Sequence, residues 1–186
     1  MEENTGMKST GIVRRMDNLG RIVIPKEIRR TLRIREGDPL EIYTDKEGEI
    51  ILKKYSPIEE LSSFAKQYVD SLAQTTGYVV MITDRDQVIA ASAKNRKEFA
   101  GKPISRELDG LIGDRKSSIT VAGGSGYQSV CGEEEYQSQV ISPIICEGDA
   151  IGSVIMVSND KNVKFGEMES KLTSCAAGFL GKQMEQ

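Results

Sequence analysis

The chain has 186 residues, 38% hydrophobic and 28% charged, with a mean hydropathy of -0.36 and a net charge of -3, which is room for one ordinary domain or a small one joined to a medium one. It contains no histidine, and this excludes Ser-His and Cys-His nucleophile pairs, histidine-held haem and His-ligated zinc. Three widely spaced cysteines (Cys131, Cys146, Cys175) make no disulfide framework, and no apolar run nears a membrane span, so a cytoplasmic, reduced protein is expected.

The charge is uneven. Residues 8–35 hold nine Lys/Arg against Asp17 and Glu27, a local +7, whereas residues 56–186 sum to -5. A basic segment on an acidic remainder suggests a polyanion-binding head on a larger body.

GIVRRM (11–16) and RIVIP (21–25) read as short strands joined by the turn DNLG. Both carry apolar residues on the two faces that a pleated strand presents. A second copy is needed to supply the other wall, so an obligate dimer with interleaved hairpins is expected. Pro25 opens a short helix, KEIRRTL, with Ile28 and Leu32 on its apolar side. Arg29 and Arg33 fall at i and i+4, with Arg30 beside them. PLEIYTD and EIILKKY flank KEG as a hairpin, with Gly48 supplying the turn. A unit of this size is marginal alone.

Ser56, Pro57 and Glu59 form a capping-box pattern that starts a new helix and divides the chain into 1–55 and 56–186. Ile58, Leu61, Ala65, Tyr68 and Leu72 follow spacings of 3, 4, 3 and 4. The strands GYVVMITD and QVIAASA come next. Residues 94–120 read as charged and loop-rich, with at least one helix around 97–100 or 105–111. YQSQVISPIICEGDAIGSVIMVS gives two further strands around Glu147-Gly148-Asp149. A last helix carries Phe165, Met168, Leu172, Cys175 and Phe179, spaced as in the first. The fold class is α+β: a small head, then an antiparallel sheet bracketed by two helices whose stripes form an assembly surface.

Arginine offers planar, bidentate donors to phosphate oxygens and guanine edges. The scarcity of acids between residues 8 and 35 argues against an ordinary ion-paired surface. The stretch MKSTGIVRRMDNLGRIVIPKEIRRTLRIREGDPLEIY (7–43) resembles the swapped-hairpin DNA-binding domain of AbrB-type transition-state regulators. The resemblance implies a dimeric β-barrel formed by hairpin exchange. It also implies duplex DNA contacts from Arg14, Arg21, Arg29 and Arg30, with Lys8 and Arg15 as further additions. Such binding goes largely to the DNA backbone and shape.

The whole chain resembles the stage V sporulation protein T family of spore-forming bacteria. That resemblance implies a transcriptional regulator, activating or repressing, which assembles as a homotetramer and carries a C-terminal GAF domain. GAF domains commonly hold a small molecule between the sheet and covering loops, here roughly residues 94–140, so an unidentified ligand is the one cofactor-like expectation. No metal, membrane or catalytic residue is expected. GGSG (123–126) lacks the Gly-Lys-Ser/Thr of a phosphate loop. The alternatives are a thiol-based GAF enzyme and an antitoxin or adaptor whose basic head meets a protein. Against the first, Cys146 sits in an apolar strand context that raises a thiol pKa, and Cys175 reads as small-residue packing. Against the second, antitoxins usually carry a short disordered tail.

Overall fold

The computed structural model describes residues 9–60, 62–92, 96–122, 124–132 and 136–185. The chain divides into two compact units, Met1–Lys54 and Tyr55–Gln186.

The first unit contains α1 (Lys26–Thr31), β1 (Leu40–Thr44) and β2 (Ile50–Lys54). The two strands pair antiparallel with Ile42 opposite Leu52. At their turn, Asp45 Oδ1 accepts the N–H groups of Glu47 and Glu49 at 3.0 and 2.8 Å, and Gly48 takes φ +86°. Helix α1 is shorter than KEIRRTL suggests. Ile34 N–H bonds the Arg29 carbonyl at 2.7 Å and Arg33 N–H bonds that of Arg30 at 3.3 Å, a Schellman closure. Arg33 therefore lies beyond the helix at φ +53°, where glycine is usual, and does not stack on Arg29 at i+4.

Segments 11–16 and 21–25 form no strand ladder with any described residue. The turn between them does form. Gly20 N–H bonds the Asp17 carbonyl and Asp17 N–H bonds that of Arg21, each at 3.1 Å. Val13 and Val23 are 85% and 73% exposed. The arms expected to be strands thus have no ladder partners among the described residues, and most of their apolar side chains are uncovered there.

The second unit opens with α2 (Pro57–Glu60) and α3 (Ser62–Thr76); Leu61, assigned to the stripe of the first helix, lies outside the described residues. The Ser56 hydroxyl donates to Asp84 Oδ2 at 2.9 Å, tying the start of this unit to its sheet. β3 (Val79–Asp84), β4 (Val88–Ala91), α4 (Arg96–Phe99), α5 (Arg106–Gly113), β5 (Ser118–Val121), β6 (Ser138–Cys146), β7 (Asp149–Ser158) and α6 (Glu167–Met184) follow. The sequence predicts at least one helix in the middle region, at 97–100 or 105–111, and both form. β5 does so in a region read as loop and helix. The five strands are antiparallel in the order β4-β3-β7-β6-β5.

Covering both faces explains why these strands read as continuous apolar runs. Val80, Ile82, Val154 and Met156 pack under α3 and α6 with Ala65, Val69, Ala176, Ala177 and Leu180. Their alternates Met81, Ile155 and Val157 point the other way, into a core with Phe99, Ile104, Leu108, Ile112 and Tyr136. Each such large side chain contributes about 1.5–3 kcal/mol by leaving water. Glycine permits close backbone approach at two points, one between neighbouring strands and one between helix and sheet. A Cβ at Gly152 would overlap the Thr83 carbonyl, and one at Gly181 the Ile145 carbonyl.

Candidate nucleic-acid interface

The basic residues of the first unit occupy two pieces of backbone. Arg14 and Arg15 lie exposed on the arm before the Asp17–Arg21 turn, and Arg21 begins the arm after it. Pro25 ends that arm, its φ of -58° suiting the entry to α1. The helix then carries Lys26 and Arg30 exposed and Arg29 half-buried. Arg29 and Arg30 stand in the last turn, where cations complement the negative end of the helix dipole. Lys8, the remaining residue expected at this face, lies outside the described residues.

Their electrostatic situations differ. Arg14, Arg15, Arg29 and Arg30 form no ion pair with another described residue. Asp38, by contrast, stands 4.0 Å from Arg35 and 3.5 Å from Lys54, which takes those two cations out of the set. Arg21 is also engaged, its Nε donating to Asp17 Oδ2 at 2.7 Å while the side chain stays 71% exposed. The other carboxylate oxygen accepts the N–H groups of Leu19 and Arg21 at 2.9 and 2.8 Å. The Arg21 backbone N–H, then its guanidinium and the Leu19 N–H, hold the Asp17 carboxyl below its ordinary value.

Sequence reasoning counted Asp17 merely as one of two acids in a basic stretch. The signal that could have singled it out is the repeat of Asp-x-x-Gly-x at 17–21 and 45–49, two turns with one bonding scheme. The thiols divide unevenly too. Cys131 and Cys146 are partly buried, whereas Cys175 is exposed on α6 and does not fill a small-residue contact.

Comparison with known proteins bears on both units. The family "Stage V sporulation protein T C-terminal, transcription factor" matches residues 60–185, and "Antidote-toxin recognition MazE, bacterial antitoxin" matches residues 13–60. Stage V sporulation protein T of Bacillus subtilis (strain 168) is 52% identical over 181 residues, covering 97% of this chain and 100% of that protein. Transition state regulatory protein AbrB of the same organism is 47% identical over 90 residues, 48% of this chain and 93% of its own. The blue-light absorbing form of the Thermosynechococcus elongatus PixJ GAF-domain matches with a TM-score of 0.55 at 13% identity, covering 71% of this chain and 89% of that one, a likeness of fold alone. The chain therefore belongs to the stage V sporulation protein T family of transcription factors, with an AbrB-like head and a GAF-like second domain.

Proposed function

We propose that this regulator acts in the cytoplasm by binding duplex DNA through a head dimer. In that dimer the arms at 11–16 and 21–25 of two copies complete each other's sheet. The observation that carries the reading is the coincidence on one small unit of arginines (Arg14, Arg15, Arg29, Arg30) that form no ion pair among the described residues with strand-like arms that have no ladder partner there. Ile12, Val13, Ile22 and Val23, all exposed in one copy, lie on both faces of these strands, and a second copy supplies the cover that one copy lacks when the two interleave. Pairing doubles the arginine face and gives it two-fold symmetry. Binding of the full-length protein and its Arg29→Ala/Arg30→Ala variant to a mixed-sequence duplex across a salt series tests this. A steep log-log slope that flattens in the variant supports the head as the DNA surface. Weak, salt-insensitive binding moves the basic face to a protein partner, the role named for the antitoxin family that matches the head.

The second domain assembles copies through α3 and α6, joining head dimers into a tetramer. Phe64, Tyr68 and Phe179 form one aromatic cluster across the two helices, continued by Leu172, exposed Met168 and exposed Cys175. The opposite side of the sheet is the place for a regulatory small molecule. Its cover is held by a 2.7 Å bond from Tyr136 N–H to the Tyr127 hydroxyl, and lifting that cover exposes Met81, Ile141 and Ile155. A regulatory rather than enzymatic role fits Cys146, whose thiol is pushed up by burial and then by Glu147, Glu185 and Asp149. A thiolate nucleophile needs the opposite shift.

A further inference from the structure

The turn at 45–49 is an internal control for the turn at 17–21. In both, the aspartate Oδ1 accepts two backbone N–H groups, from residues two and four positions on, at 2.8–3.0 Å. In both, the aspartate N–H bonds the carbonyl four residues on, and the glycine N–H bonds the aspartate carbonyl. Gly20 and Gly48 both take positive φ, at +75° and +86°. The fifth residue of the second turn is Glu49, which cannot pair with Asp45, and that turn closes all the same. The turn architecture thus needs one carboxylate oxygen and no cation. The bond from Arg21 Nε to Asp17 Oδ2 is an addition to it, found only where the turn lies among the basic residues.

Resting on the DNA-binding reading above, we infer that Asp17 is a positioning residue: it removes Arg21 from the set of phosphate-neutralising cations and fixes its guanidinium as a reader of groove shape and base edges. Three features support this. The Asp17 carboxylate is itself anchored by two backbone N–H groups, so it does not follow the arginine about. The guanidinium is planar, and with Nε spent on Asp17 its Nη1/Nη2 edge remains as a two-donor fork. The pair also carries no net charge, so docking Arg21 on DNA releases no counterion, whereas Arg14, Arg15, Arg29 and Arg30 each do. A carboxylate beside the DNA further penalises every phosphate-only approach that fails to satisfy Arg21. That is how an acid in a basic face raises discrimination at the expense of bulk affinity.

The salt slope separates the two roles. Each neutralising arginine per protomer adds two contacts per head dimer and about two units to the slope, so the change between parent and variants, not the parent value itself, reads the role of Arg21. The probes are a mixed-sequence duplex for the slope, and an A·T-rich and a G·C-rich duplex for discrimination, using full-length protein. Asp17→Asn keeps an oxygen for the two backbone bonds and loses the charge. It is expected to steepen the slope by about two units per dimer and to narrow the preference between the two biased duplexes. Arg21→Ala is expected to leave the slope at the parent value while abolishing that preference. The double variant Asp17→Asn/Arg21→Ala should return the slope to the parent value, which guards against a folding effect of the first change. A slope that Arg21→Ala flattens by about two units, with Asp17→Asn leaving it unchanged, makes Arg21 an ordinary phosphate contact and overturns the inference. Failure of the DNA-binding reading looks different, because the parent slope is then shallow and Arg29→Ala/Arg30→Ala leaves it unmoved.

Discussion

The rings of Tyr68 and Phe179 stack across α3 and α6 with centroids 5.9 Å apart and planes 11° from parallel. Phe64 leans on both, at 6.1 and 5.8 Å. Burial pushes the Tyr68 hydroxyl above its ordinary value, and Cys175 adds to the shift. Phe179 nevertheless keeps 40% of its surface in solvent, so the cluster is a ridge and not a closed core. Phe179→Lys should leave the domain folded, since the ridge contributes only about 0.5–1.5 kcal/mol per aromatic pair. It should break the proposed pairing of second domains, because it places a charge at the centre of that surface. Analytical ultracentrifugation is expected to show the head dimer as the largest species. A variant that sediments like the parent protein places the pairing elsewhere.

Thr83 and Ser153 face each other across β3 and β7, with their hydroxyl oxygens 2.8 Å apart and both residues fully buried. Each hydroxyl supplies the other's partner where water is absent. Thr83→Val keeps the shape but strands the serine hydroxyl, and should cost about 1–3 kcal/mol in urea unfolding. Thr83→Val/Ser153→Ala removes both polar groups and should recover most of that loss. If the double variant is as unstable as the sum of the two single changes, the pair is not coupled.

Two glycines on α6 make a matched test of how closely helix and sheet approach. Gly181 sits against the Ile145 carbonyl, while a Cβ at Gly178 meets nothing within 4 Å. Gly181→Ala should destabilise the domain by about 1–3 kcal/mol as α6 is forced off β6. Gly178→Ala should gain up to about 1 kcal/mol from helix propensity alone. Thermal unfolding of both variants reads the contrast directly, and equal shifts would refute the close approach.

The same close approach explains which parts of the fold could be read from sequence. Counting apolar residues at spacings of 3 and 4 marked Met168, Leu172, Cys175 and Phe179, the outward stripe of α6. The face that meets the sheet is Thr173, Ala176, Ala177, Leu180 and Gly181, made of mostly small residues because the helix lies so near the strands. A hydrophobic count does not register them. The strands VVMITD and GSVIMVS were legible because both their faces are covered, whereas β5 is a four-residue edge strand whose Ile119 and Val121 stay half-exposed, so its apolar content is thin. In the head, the hairpin at 40–54 and the turn at 17–20 could be read locally. The arms at 11–16 and 21–25 carry a strand pattern that finds no ladder partner among the described residues. Arg33 was misplaced because nothing in its own side chain announces the left-handed closure that ends α1, and the bonds of Asp17 to Leu19 and Arg21 went unread because they are a matter of geometry, not composition.

Cys146 gives a prediction with a definite sign. Burial, then Glu147, Glu185 and Asp149, raise its thiol above the ordinary value of 9.0. The folded state therefore holds the proton more tightly than the unfolded chain does. The resulting stability is fully present below the unfolded value and is lost as pH rises through the folded one. Urea midpoints should fall as pH rises from 9.0 towards the raised folded value, and Cys146→Ser should flatten that fall. Alkylation with iodoacetamide near the lower end of the range should be slower at Cys146 in the folded protein than in the urea-unfolded chain, since only the thiolate attacks. Glu147→Gln should speed the folded-state reaction by removing a repelling charge. A folded-state rate equal to the unfolded one would mean that the thiol is neither desolvated nor repelled, and would return Cys146 to the candidates for thiol chemistry.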